Sequence, residues 1–155
     1  MNIFKELGIL YKEIDDYYAH KELEAKIKIW NRKENEFKRK RMLNDHAYYL
    51  FMFTRLEDHV RRQSSRLIKR KQISLANWKQ KRVWSLLPKE KNSDKINFLN
   101  RVALLVDKGG HYYKKIKDYY LLRNKLGHGG LSNSPISILK VVKDFELLSN
   151  ILKAR

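Results

Sequence analysis

Residues 120–130 read YLLRNKLGHGG, so that an arginine and an asparagine stand side by side and a histidine follows just past a glycine. A guanidinium can grip two phosphoryl oxygens at once, and an imidazole exchanges protons near neutral pH. Together they suit cleavage of a phosphodiester without a metal. Arg123 and His128 are therefore the expected catalytic pair, with Asn124 fixing the loop backbone or orienting the imidazole. On an unbroken helix, two residues five positions apart point about 140° away from each other. Gly127 is expected to break that helix as a left-handed C′ residue and to swing His128 back toward Arg123. The bland alternative is that these cations only face the carbonyl end of a helix, where a positive charge is favoured by about 0.3–1 kcal/mol.

The elements that must hold this motif read as helices. With six glycines and two prolines in 155 residues, most of the chain lacks the punctuation that strands and hairpins need. Ile3, Leu7, Leu10, Ile14 and Tyr17/Tyr18 recur at three and four, which predicts a helix over about residues 2–19. A more polar one follows over about 22–38. A long segment over about 42–71 carries Ala47, Leu50, Phe51, Phe53, Thr54, Leu56 and Val60 in its apolar first half. Residues 75–87 are expected to form a short helix with Trp78 and Trp84, ended before Pro88. Ser93 is expected to cap a helix over about 94–107, stopped by Gly109 and Gly110. The motif closes a helix over about 111–126 with Tyr112, Ile116, Tyr119/Tyr120 and Arg123 on one face. Ser134 as N-cap and Pro135 as first helical residue open the last one. The expected fold is all-α, an antiparallel bundle of four principal helices with additional N-terminal and connecting helices, in one domain over 1–155.

Charge points to the partner. Lys and Arg number 35 against 17 Asp and Glu, a net charge of +18, which repels itself unless an anionic partner or local segregation relieves it. No acid stands between Asp58 and Glu90, while Arg61, Arg62, Arg66, Lys69, Arg70, Lys71, Lys79, Lys81, Arg82 and Lys89 are all basic. Nucleic acid is the expected ligand of this stretch; a merely solvated helix face is the competing reading. With no cysteine and five scattered histidines, neither a metal site nor a cofactor is expected. No window has the roughly 18 apolar residues of a membrane span and the N-terminus lacks the pattern of a signal peptide, so a cytoplasmic protein without a membrane partner is expected.

The string Arg-Asn-x-x-x-His, here RNKLGH at 123–128, resembles the signature of the HEPN superfamily. The segment 45–62, DHAYYLFMFTRLEDHVRR, is similar to an earlier core helix of one HEPN branch in which aromatic and aliphatic positions precede a Glu. Together the two strings cover about 15% of the chain. The resemblance implies a small helical bundle that cleaves RNA without metal, works as a homodimer and serves a toxin–antitoxin or anti-phage system, with an antitoxin or other regulatory protein as a further partner. Arg123 and His128 would then be catalytic, Asn124 their polar support and Glu57 a helper; as the plainer reading of Glu57, an ion pair with Arg61 one turn on is expected. The 2′-hydroxyl would attack phosphorus, leaving 2′,3′-cyclic phosphate ends. A non-catalytic module of the same fold, binding nucleic acid or a partner protein, is the alternative.

Overall fold

In the computed structural model, residues 2–74, 77–87, 96–131 and 135–154 are described. Among them every regular element is a helix: α1 (Ile3–Ile27), α2 (Asn31–Ser74), α3 (Trp78–Ser85), α4 (Phe98–Leu105), α5 (His111–Gly127) and α6 (Ile138–Ile151). None of these is long and apolar enough to cross a membrane. The chain divides into two compact units, one of Met1–Thr54 with Leu121–Glu146, the other of Arg55–Tyr120 with Leu147–Arg155. Helices α2, α5 and α6 each contribute a segment to both.

The expected break near residue 40 does not exist. The run over 38–41 holds no breaker, and Glu34–Lys38 and Glu36–Lys40 pairs at 2.5 and 2.6 Å stitch successive turns, so the polar helix and the long core helix are one element of 44 residues. The break lies earlier, where Ile29 takes φ 56°. There the Ile29 amide bonds the Lys26 carbonyl at 3.1 Å and the Trp30 amide bonds the Ala25 carbonyl at 2.9 Å, the paired bonds of a Schellman helix end.

In the first unit, Phe4, Leu7 and Tyr11 of α1 pack with Tyr49, Met52 and Phe53 of α2 and with Val141, Val142 and Phe145 of α6, all buried. Phe145 is the hub, its ring centroid 5.7 Å from Phe4, 6.4 Å from Tyr49 and 6.0 Å from Phe53. The α1–α2 seam becomes polar toward the turn at 28–30 that joins the two helices. Arg41 forks onto Asp15 at 2.8 and 3.0 Å and reaches Glu22 at 3.1 Å, and the Tyr11 hydroxyl donates to Asp45 at 2.7 Å. Burial together with this bond to a carboxylate pushes the Tyr11 hydroxyl well above the usual phenol range. Of the core stripe expected on α2, Phe53, Leu56 and Val60 are buried, but Ala47, Phe51 and Thr54 are exposed and Tyr49 and Met52 point inward in addition.

In the second unit, Leu56, Val60, Ser64, Leu67 and Ile68 of α2 are buried, as are Arg101 and Val102 of α4, Tyr113 and Ile116 of α5, and Leu148 and Leu152 near the C-terminus. Arg101 is 4% exposed and is held by polar partners, as a buried guanidinium must be. Its Nη1 donates to Ser64 at 3.0 Å and Ser65 at 3.3 Å, its Nε to the Ile96 carbonyl at 3.2 Å. Phe98 stacks on Tyr120 at 5.2 Å. Helix α4 starts at Phe98 because Asn97 caps it, accepting from the Asn100 amide at 2.8 Å; the Ser93 cap expected from sequence lies outside the described residues. Tyr113, not Tyr112, occupies the inner face of α5. Helix α6 begins at Ile138, past Pro135, with Ser137 accepting from the Lys140 and Val141 amides; Ser134 lies outside the described residues.

Candidate functional site at the end of helix α5

Helix α5 does not stop where the sequence suggested. Gly127 is its last helical residue, and the His128 amide still bonds the Asn124 carbonyl at 3.1 Å. The left-handed residue is Gly129, at φ 80°. Its amide bonds Leu126 at 3.1 Å while the Gly130 amide bonds Lys125 at 2.9 Å, again the Schellman pair. Gly130 is bound to be glycine by space, since a Cβ there would stand 2.7 Å from the Lys125 carbonyl oxygen. The pair of glycines at 129–130 therefore ends the helix, and Gly127 is not needed as its stop.

This changes the geometry of the motif. With His128 on the helical path, it shares a face with Asn124, four residues back, and diverges from Arg123 by about 140° around the axis. The glycine does not fold the imidazole back onto the guanidinium by reversing the backbone. Arg123 instead reaches forward along the helix, with Nη1 4.0 Å from where a Cβ on Gly127 would sit and 3.2 Å from Oδ1 of Asn124, to which it donates. Arg123 and Asn124 are half-buried, whereas His128 is exposed. The structure thus brings Arg123 and Asn124 into contact and sets His128 on the same helix end as Asn124. All three belong to the first unit, whereas Glu57, half-buried, belongs to the second. Arg61, the ion-pair partner suggested for Glu57, bonds Asp58 at 2.6 Å.

The basic stretch lies in the second unit. Arg62, Arg66, Lys69 and Arg70 are exposed and fall within about 100° of arc on α2, opposite the buried Ser64 and Ile68. Arg61 is exposed but tied to Asp58, and Lys71 is half-buried. Lys79, Lys81 and Arg82 are exposed on α3, whose last turn is fastened to α2 by a bond from Gln72 Nε2 to the Trp84 carbonyl at 2.9 Å. Lys89 lies outside the described residues. Sequence reasoning passed over one neighbour of these cations, Trp78, 64% exposed with the Arg82 guanidinium 5.2 Å from its ring centroid. The signal was present in its four-residue spacing from Arg82, on one helix face.

No group of three or more histidines and carboxylates is arranged to hold a metal among the described residues. The chemistry available at the end of α5 is that of a guanidinium, a carboxamide and an imidazole: anion binding, hydrogen bonding and proton transfer. No family model matches the chain, and no characterised protein or solved structure matches it.

Proposed function

We propose that this protein is a metal-independent endoribonuclease in which Arg123 holds the scissile phosphate, His128 moves the proton and Asn124 positions the arginine. What supports the reading is the Arg123–Asn124 hydrogen bond beside an exposed histidine at one helix end, in a chain of net charge +18. The ribose 2′-hydroxyl attacks the adjacent phosphorus, the bond to the 5′-oxygen breaks, and a 2′,3′-cyclic phosphate and a 5′-hydroxyl result. Proton transfer by a placed imidazole contributes about 10²–10⁴-fold, and a cation on the developing phosphorane charge contributes about 10²–10³-fold.

The angular separation of Arg123 and His128 within one chain favours a site completed by a second copy. In a two-fold dimer each phosphate meets Arg123 of one chain and His128 of the other. A setting in toxin–antitoxin or anti-phage defence, with a regulatory antitoxin, belongs to the same proposal and follows from the resemblance alone.

The test is cleavage of a single-stranded RNA in EDTA by the wild type, by Arg123→Ala, by His128→Ala, and by an equimolar mixture of the two variants after subunit exchange. Cyclic phosphate ends from the wild type, inactivity of each variant and partial recovery in the mixture are expected. A wild type that binds RNA and leaves it intact sinks the enzyme reading; activity in either single variant sinks the assignment of its residue.

A further inference from the structure

We infer that Trp78 is a stacking platform for an unpaired RNA base, with the cations of α3 holding the phosphates on either side. The inference takes its ligand from the RNA reading above and adds the strand state that the second unit selects. Trp78 is 64% exposed, so a partner can reach its indole, whose flat apolar body and polar N–H suit a half-wet contact. On α3, Trp78, Lys81 and Arg82 lie within about 100° of arc, and the Arg82 guanidinium sits 5.2 Å from the Trp78 ring centroid. That cation steadies the ring and leaves its charge next to whatever the ring receives. Lys79 is also exposed, and α3 contains no acid.

These neighbours decide what fits. Every nucleobase offers a π-face to an indole regardless of sequence, and a ring flanked by Lys79, Lys81 and Arg82 matches a base flanked by phosphates. In a duplex each base is already stacked between its neighbours, so only an unpaired base can reach Trp78. The helix is held ready for this. Asn77 caps its start, accepting from the Lys79 amide at 2.9 Å, and Gln72 secures its end through the Trp84 carbonyl. The exposed Arg62, Arg66, Lys69 and Arg70 of α2, in the same unit, supply further phosphate contacts.

The experiment is fluorescence anisotropy with a labelled, single-stranded 2′-O-methyl RNA, which lacks the nucleophile and so reports binding without cleavage, and with its duplex. Trp78→Ala should weaken single-strand binding about tenfold or more, Trp78→Tyr should restore most of it, and duplex binding should change little. Because stacking releases no counterions, Trp78→Ala should leave the slope of log affinity against log salt unchanged, whereas Arg82→Ala should make it shallower. Single-strand binding within twofold of wild type in Trp78→Ala, an equal loss for duplex and single strand, or no RNA binding by the wild type overturns the inference and leaves the Trp78 face to a protein partner. If the wild type fails to cut unmodified RNA while Trp78→Ala still loses single-strand affinity, the platform stands and the nuclease reading falls.

Discussion

The Arg123 guanidinium donates to the side-chain carbonyl of the very next residue, Asn124, at 3.2 Å, and in doing so lies along the helix toward Gly127. In the proposed mechanism Asn124 therefore acts by holding the cation in place. Asn124→Ala removes this acceptor and loosens the hold on the guanidinium. A misplacement of about 1 Å can cost about 10²-fold in rate, so single-turnover cleavage should fall by about ten- to a hundredfold, less than in His128→Ala. Asn124→Asp keeps an acceptor and should retain more activity than Asn124→Ala. Equal losses in these two variants would remove the positioning role.

The two glycines that end α5 answer to different physics. Gly129 needs its φ of 80°, a conformation that costs an L residue about 1–2 kcal/mol. Gly130 needs the empty space beside the Lys125 carbonyl. Gly129→Ala should lower unfolding free energy by about 1 kcal/mol, read from the urea midpoint. Gly130→Ala should cost more, because its neighbour at 2.7 Å is backbone and cannot turn aside. Gly127→Ala meets only the Arg123 Nη1 at 4.0 Å and gains helix propensity of about 0.8–1 kcal/mol, so it should be neutral or stabilising. A Gly127→Ala variant as unstable as Gly130→Ala would refute this division of labour.

The same helix end occurs at the other boundary with the wrong residue. Ile29 fills the position that Gly129 fills in α5, with φ 56° and the matching pair of backbone bonds. It is 80% exposed, so its side chain contributes little packing to offset the strain of a β-branched residue in the left-handed region. Ile29→Gly should raise stability by up to about 1 kcal/mol, the relief of strain exceeding the added freedom of the unfolded chain. A lower urea midpoint for Ile29→Gly than for wild type would show that the isoleucine is held there by packing.

That boundary also explains what the sequence could and could not reveal. The all-helical character followed from scarce glycine and proline and from apolar spacing, and the helices around Trp78 and from His111 onward lie near their expected positions. The turn at residues 28–30 carries no glycine, proline or asparagine, so nothing in KIKIW announced it, while the polar run over 38–41 looked like a boundary and is bridged by ion pairs. On α2 the expected apolar set chose Phe51 and Thr54, but tertiary packing turned Tyr49 and Met52 inward. At the site, the residue types were legible and their phase was not. Three glycines lie within four positions there, and only the positive φ of Gly129 and the crowding of Gly130 against Lys125 show which of them the chain requires.

His59 gives the fold a pH dependence whose sign can be worked out. It is half-buried in the second unit, with Nε2 3.1 Å from the Leu152 carbonyl oxygen. Burial is the main cause that lowers its pKa below the ordinary value of 6.5; Arg62 and Lys153 push the same way, while hydrogen bonds to the Leu152 and Ser149 carbonyls oppose them. Since the folded state binds its proton more weakly than the unfolded chain does, stability is full above about pH 6.5 and declines as pH falls from there through the lower folded value. Asp45, whose carboxyl is raised by burial, acts in the opposite sense: it favours the folded state at acid pH and loses that contribution as pH rises through its folded value. The two are separable by substitution. In His59→Gln, urea midpoints measured between about pH 7 and pH 5 should fall less steeply than in wild type, and an unchanged slope would acquit His59 of the acid sensitivity.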